Sequence, residues 1–161
     1  MTASTDTRAA TPTYTGVMPM IMVEDSGACS EFYQRAFGAV ETSRVTSDGA
    51  NACVAPDEAA PAAASAEGPA KIMHLSMLIN GGMFAFNDSF PEHGHPFEGF
   101  KGFTLHLQVN KGEGDAWWNR AVEAGCHVVM PFQLQFWGDR YGLLRDPFGV
   151  SWSIGETQAD A

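Results

Sequence analysis

Phe103-Thr104-Leu105-His106-Leu107-Gln108-Val109 alternates apolar with polar side chains, and Gly114 to Ala124 follows with apolar residues at helical spacing. Strict alternation marks a strand with one covered face, and the change of period from two to nearly four marks the entry into a helix. Ala116, Trp117, Ala121 and Val122 are the expected inward positions of that helix, and Gly125 stops it as a helix C-terminal glycine does. His127 to Pro131 reads as a short strand. Tyr141 to Arg145 and Val150 to Ile154 then form a hairpin about Asp146-Pro147-Phe148-Gly149, where proline presets the turn and Gly149 supplies a left-handed position.

The same order of elements precedes this stretch. Val17 to Val23 reads as a buried strand, with Asp25 or Ser26 as a helix N-cap. Ala28 to Phe37 carries Phe32, Tyr33, Ala36 and Phe37 at helical spacing, and Gly38 ends it. Val40 to Thr46 is a second strand. Ile72 to Ile79 and Met83 to Asn87 flank Asn80-Gly81-Gly82, a strong hairpin turn. Each half is therefore strand, helix, then three strands, and two such units imply a pseudo-two-fold arrangement. The expected fold is α+β, with paired βαβββ modules forming a curved mixed sheet around a cleft. The expected limits are a disordered tail at 1–13 and one domain over 14–157. Module one spans 14–90 and module two 98–157. Residues 48–70, rich in Ala, Pro, Ser and Gly, read as a long flexible loop.

The balance of the 161 residues limits the partners. Lys and Arg number 9 against 19 Asp and Glu, a net charge of -10, so a phosphate backbone is repelled and nucleic acid is not an expected partner. A cationic small molecule is attracted by the same field, the alternative being that the charge serves only to keep the protein soluble. No run approaches the roughly 18 apolar residues of a membrane helix, and the N-terminus has no secretory pattern. Cys29, Cys53 and Cys126 are odd in number and far apart, which suits reduced thiols in a cytoplasm better than a disulfide framework or a zinc site.

Three stretches carry a family resemblance. Glu31-Phe32-Tyr33-Gln34-Arg35-Ala36-Phe37-Gly38-Ala39 resembles the first helix of the vicinal oxygen chelate (glyoxalase/bleomycin-resistance) superfamily. Gln135-Phe136-Trp137-Gly138-Asp139-Arg140-Tyr141-Gly142 is similar to a signature of its PhnB-like branch. Arg145 to Ile154 resembles that branch's terminal hairpin. The resemblance implies a glyoxalase-like fold and a homodimer, for which Phe97, Phe100, Phe132 and Phe136 are candidate exposed aromatics. Metal-dependent members of the superfamily place His, Gln or Glu ligands on four strands. The resemblance puts those positions at Met18, Ala85, Thr104 and Ser153, none of them a plausible ligand for a divalent cation. A slip by two residues brings in His106 alone. No metal and no cofactor are expected.

Alternation assigns the remaining faces. Phe103, Leu105, Leu107, Val109, Met73, Leu75, Met77, Ile79, Phe84, Phe86, Trp152 and Ile154 belong against the helices. The cleft then receives Met20, Met22, His74, Ser76, Asn87, Thr104, His106, Gln108 and Ser153. That mixture of methionines and a few hydrogen-bonding groups suits a small-molecule site, although methionine is equally a filler of core gaps. His74 and His106 are candidate general bases, with ordinary lining residues as the alternative. Trp137 and Tyr141 offer stacking surfaces. Arg140 either clamps a carboxylate or pairs with Asp139 to fix its loop. His93 and His95, in a Gly/Pro-rich loop, read as a solvated pair or a weak metal site. The expected function is metal-independent binding of a small cationic or aromatic molecule. A metal-independent isomerase or lyase using a cleft histidine is the alternative, and a metalloenzyme with rearranged ligands comes last.

Overall fold

The computed structural model describes residues 15–49 and 70–158. The expected tail at 1–13 and nearly all of the loop at 48–70, with Cys53, lie outside the described residues. The first half runs β1 (Met20–Val23), α1 (Ser26–Phe37), β2 (Val40–Thr46), β3 (Ile72–Ile79) and β4 (Gly82–Asp88). The second runs β5 (Leu105–Val109), α2 (Gly114–Ala124), β6 (His127–Leu134), β7 (Arg140–Arg145) and β8 (Ser151–Glu156). The sheets are ordered β1-β4-β3-β2 and β5-β8-β7-β6, and in each the first strand pairs parallel with the last. The fold is thus α+β with two βαβββ units, and its two mixed sheets stay open.

Local chemistry sets the ends of α1. The Asp25 carboxylate accepts from the Ala28 N–H at 2.8 Å, satisfying one of the unpaired amides of the first turn. Gly38 closes the helix at φ 62°, a conformation that glycine reaches without a Cβ penalty. Asn80 and Gly81, at φ 47° and 77°, make the two-residue turn between β3 and β4 that matches the twist of a hairpin.

One continuous core joins the halves. Tyr33 and Phe37 of α1 pack on Trp152 of β8, with ring centroids 5.3 and 4.4 Å apart, and Phe84 of β4 also meets Trp152. At its centre the buried Asp146 carboxylate accepts from the Tyr33 hydroxyl (2.8 Å), the Trp152 indole (2.9 Å) and the N–H groups of Phe148 and Val150. Burial raises the pKa of Asp146 above its ordinary value, against these four bonds, which lower it. The tyrosine comes from the first half and the carboxylate from the second, so this bond fastens the two modules as well as the terminal hairpin.

Several expectations change. Phe103, expected against a helix, lies before β5 and is 40% exposed. Met73 is 53% exposed and Ile72 is buried in its place, because a register irregularity between Val45 and Thr46 turns the start of β3. On α2, Ala116 and Val122 are exposed, while Trp117 and Ala121 face inward as expected, joined by Gly114 and Trp118. Trp118 reaches over Gly142, where a Cβ would lie 2.5 Å from its ring. Strand β6 continues past Pro131 to Leu134, since it is an edge strand whose register is already broken between Met130 and Gln133. Phe132 is not a free surface aromatic: it stacks on Trp118 at 5.6 Å beneath the Arg140 guanidinium.

Candidate functional site

The open face of the second sheet gathers several of the candidate residues. His106 sits opposite Ser153 in the β5–β8 ladder, with Gln108 two residues on along the same face. The His106 imidazole is hydrogen-bonded at both nitrogens, Nδ1 to the Ser153 hydroxyl (2.8 Å) and Nε2 to Gln108 Oε1 (3.1 Å). It lies over Gly155, where a Cβ would come within 2.7 Å of the ring, so this glycine makes room for it. Tyr141 stacks beside the imidazole at 6.0 Å and 22°, Trp137 packs edge-on against Tyr141 at 5.9 Å, and Phe136 against Trp137 at 4.9 Å. The result is an aromatic ladder on a hydrogen-bonded histidine. His106 and half-exposed Trp137 are open to solvent, while the Ser153 hydroxyl beneath is buried.

Beside this ladder, a cavity of about 350 Å³ occupies the seam between the sheets. The lead-in to β1 (Val17, Pro19), the β3–β4 hairpin (Ile79, Met83, Phe84), the start of β5 (Thr104 to Leu107) and Trp152 line it. The Asn80 side chain, next to Ile79 in the hairpin, donates to the Gln108 carbonyl and ties the hairpin to β5. A largely apolar cavity with one imidazole and one hydroxyl suits a small organic ligand oriented by few polar contacts. Val17, Pro19 and Ile79 were beyond a reading of alternation, because the first two precede the strand and the third reaches the seam only through the hairpin.

The other candidates lie elsewhere. Ser76 is buried on β3, its hydroxyl bonded to those of Thr42 and Ser43 at 2.8 and 2.6 Å. His74 stands two residues before it, opposite Val45, on the first sheet rather than beside His106. The Asn87 amide donates to the Asp88 carbonyl. Met20 and Met22 line a separate cavity under residues 96–103. Arg140 does not pair with Asp139. It turns to the helix side, bonds Asp115 and lies 3.8 Å from Glu156 and over the Phe132 ring, while Asp139 accepts from Thr157 and from the Gln158 N–H. The pairing with Asp139 is thus replaced, because residue 140 belongs to the face that packs on α2. Burial, then the nearby Asp146 charge, pushes the Cys126 thiol up to about 12 and raises that of Cys29 further, so neither is a thiolate nucleophile at neutral pH.

A family profile matches residues 15–154, nearly all of this architecture. The chain belongs to the glyoxalase/bleomycin resistance protein/dioxygenase superfamily. Among its relatives in the superfamily is an uncharacterized protein of Mycobacterium tuberculosis, 35% identical over 86% of this chain and 72% of that protein. YjdN of Escherichia coli is 29% identical over 80% of this chain and 88% of its own length. Among solved structures, PA1353 from Pseudomonas aeruginosa superposes with a TM-score of 0.66 at 23% identity, over 91% of this chain and all of that one. The fosfomycin resistance protein FosX from Listeria monocytogenes superposes at 0.59 and 14% identity, over 91% and 96%. Both likenesses concern the fold.

Superfamily members include proteins solved with a metal, as FosX is with Mn(II), so the donor set of this chain bears testing. The β1–β4 ladder sets Met20 opposite Ala85, and the β5–β8 ladder sets His106 opposite Ser153. Met18 and Thr104 precede their strands, and Met20 and His106 stand where those strands pair with Ala85 and Ser153. The four positions then offer a thioether, a methyl, a hydroxyl and an imidazole whose nitrogens are both hydrogen-bonded. Among the described residues no three His, Cys, Asp or Glu side chains gather into a metal-holding group. These residues do not fit a divalent cation.

Proposed function

We propose that this protein binds a small aromatic or cationic molecule at the seam between its sheets, without a resident metal. The observation that carries the reading is the His106 imidazole, held between Ser153 and Gln108 and exposed at the mouth of an apolar cavity, with Tyr141 and Trp137 as the adjoining stacking surface. A flat apolar body fills the cavity, and a polar group on it exchanges hydrogen bonds with His106 and Thr104. The net charge of -10 favours neutral or cationic ligands over anions. Isothermal titration with quinoline and indole in chelator tests this. Binding by the native protein, and at least tenfold weaker binding by His106→Ala, are expected. Equal affinities, or binding that needs an added divalent ion, would refute the reading.

The hydrogen bonds at both ring nitrogens also favour a second reading, a metal-independent isomerase or lyase. With Nδ1–H donating to the Ser153 hydroxyl, Nε2 keeps its lone pair, and movement of Gln108 away from that edge opens it to take a substrate proton. Turnover lost in His106→Ala with binding retained would mark the enzyme.

We also propose a homodimer in the cytoplasm. Phe136, 97% exposed, just beyond β6, and the exposed Val129 and Leu134 of that edge strand are apolar surface that a second copy covers. Cys29 and Cys126 are free thiols, and no helix among the described residues is long and apolar enough to cross a membrane. A monomeric mass by light scattering at micromolar concentration would count against the dimer.

A further inference from the structure

A second cavity, of about 320 Å³, lies between β1 and the 96–103 segment. Consecutive residues divide the two: Pro19 lines the first and Met20 the second, Thr104 the first and Phe103 the second. The second is walled by Met20 and Met22 of β1 and roofed by residues 96–103, with Glu98 on its lining. Phe97 meets Phe100 at 5.2 Å and 65°, and Phe100 meets Phe103 at 5.9 Å and 86°. Phe100 therefore packs edge-to-face against both neighbours, and all three rings lie on the lining of the cavity. Gly99 and Gly102, at φ 81° and 77°, turn the chain on either side of Phe100 in a way other residues resist.

Aromatic walls, polarisable thioethers and one carboxylate form a particular chemistry. Ring faces attract a positive charge that has shed its water, and they do so best for a cation whose charge is spread over methyl groups. Methionine moulds to such an apolar shell. Lys101, in the same loop, is exposed and does not line the cavity, whereas Glu98 does. The cavity volume is at the small end of ligand sites. We propose that this second pocket is a binding site for a small quaternary or N-alkylated ammonium. Phe97, Phe100 and Phe103 enclose its methyl groups, Met20 and Met22 form the floor, and Glu98 supplies the countercharge.

The probe pair is choline and its uncharged isostere 3,3-dimethylbutan-1-ol, followed in the full chain through the methyl signals of methyl-labelled methionine. Choline is expected to shift the Met20 and Met22 methyls saturably, with at least tenfold tighter binding than the alcohol. Glu98→Gln, an exposed change that leaves the core untouched, is expected to weaken choline at least threefold. Phe100→Leu, with its melting temperature checked, is expected to weaken it more than tenfold. Equal binding of the two probes, unmoved Met20 and Met22 signals, or an unaffected Glu98→Gln would each overturn the proposal. His106→Ala separates this site from the one under Proposed function. Unchanged choline binding supports two distinct pockets, and its loss would put the cation beside His106 and overturn the assignment.

Discussion

The two modules share a topology and divide the labour. In the first, α1 buries seven side chains (Ser26, Cys29, Ser30, Phe32, Tyr33, Ala36 and Phe37) and the open face of β3 hides Ser76 among the hydroxyls of Thr42 and Ser43. In the second, α2 buries only Gly114 and Ala121, and the open face presents an imidazole, a phenol and an indole to solvent. A duplicated unit thus keeps one copy as a packed support while the other carries exposed chemistry. The strand ladders make the contrast sharp, because Ala85 and Ser153 occupy equivalent places, and the residues opposite them are Met20 and His106.

The strongest way to break that division is at the bond between the halves. Asp146→Ala leaves the Tyr33 hydroxyl, the Trp152 indole and two backbone N–H groups without their acceptor. A loss of about 3 kcal/mol is expected, a fall of roughly 10 °C in melting temperature, read by calorimetry. Gly142→Ala comes next. Its Cβ would lie 2.5 Å from the Trp118 ring and 2.8 Å from the Phe132 backbone, and backbone does not step aside, so about 2 kcal/mol is expected in a urea titration.

A smaller effect follows acid. The Arg44 hydrogen bonds, against burial and with help from Ser30, hold the Glu41 carboxyl below its ordinary value of 4.5. A depressed folded pKa gives stability that is present above the unfolded value and is lost as pH falls through the folded one. Asp146, with its raised value, has the opposite sign: its contribution is greatest below the unfolded value and fades as pH rises through the folded one. Glu41→Gln should therefore flatten the decline in stability below about pH 4.5, with denaturation curves at stepped pH as the check.

The smallest change in stability has the most specific consequence. Gly155→Ala places its Cβ 2.7 Å from His106 Cε1, the far end of a side chain that can rotate away. Stability should fall by less than about 1 kcal/mol. The His106 ring signals should nonetheless move, and binding at the seam should weaken as in His106→Ala. Equal destabilisation by Gly142→Ala and Gly155→Ala would erase the contrast between a packed face and a working face.

The order of the elements was legible in the sequence because period and punctuation agree. Gly38, Gly125 and Asn80-Gly81 sit where the chain changes direction. Alternation also put His106, Gln108 and Ser153 on one face, since nothing interrupts β5 or β8. It failed where a strand is irregular, as at Met73, and where one large side chain sets the rotation of a helix, as Trp118 does on α2. Arg140 lay beyond it because its partners, Asp115 and Glu156, are 25 and 16 positions away and meet only in the folded chain. The two cavities were legible only in part: alternation offered Met20, Met22, Thr104 and His106, but not the lead-in, hairpin and loop residues that complete them.

The central claim is that an aromatic ligand at the seam meets the His106 face of the second sheet and not the Ser76 face of β2 and β3 in the first. Chemical-shift mapping of the labelled protein with quinoline, in chelator, tests it most directly. Saturable shifts at His106, Gln108, Trp137 and Tyr141, with Thr42, Ser43 and Ser76 unmoved, are the predicted result. Shifts centred on the first sheet, or shifts that need a divalent metal, would contradict it.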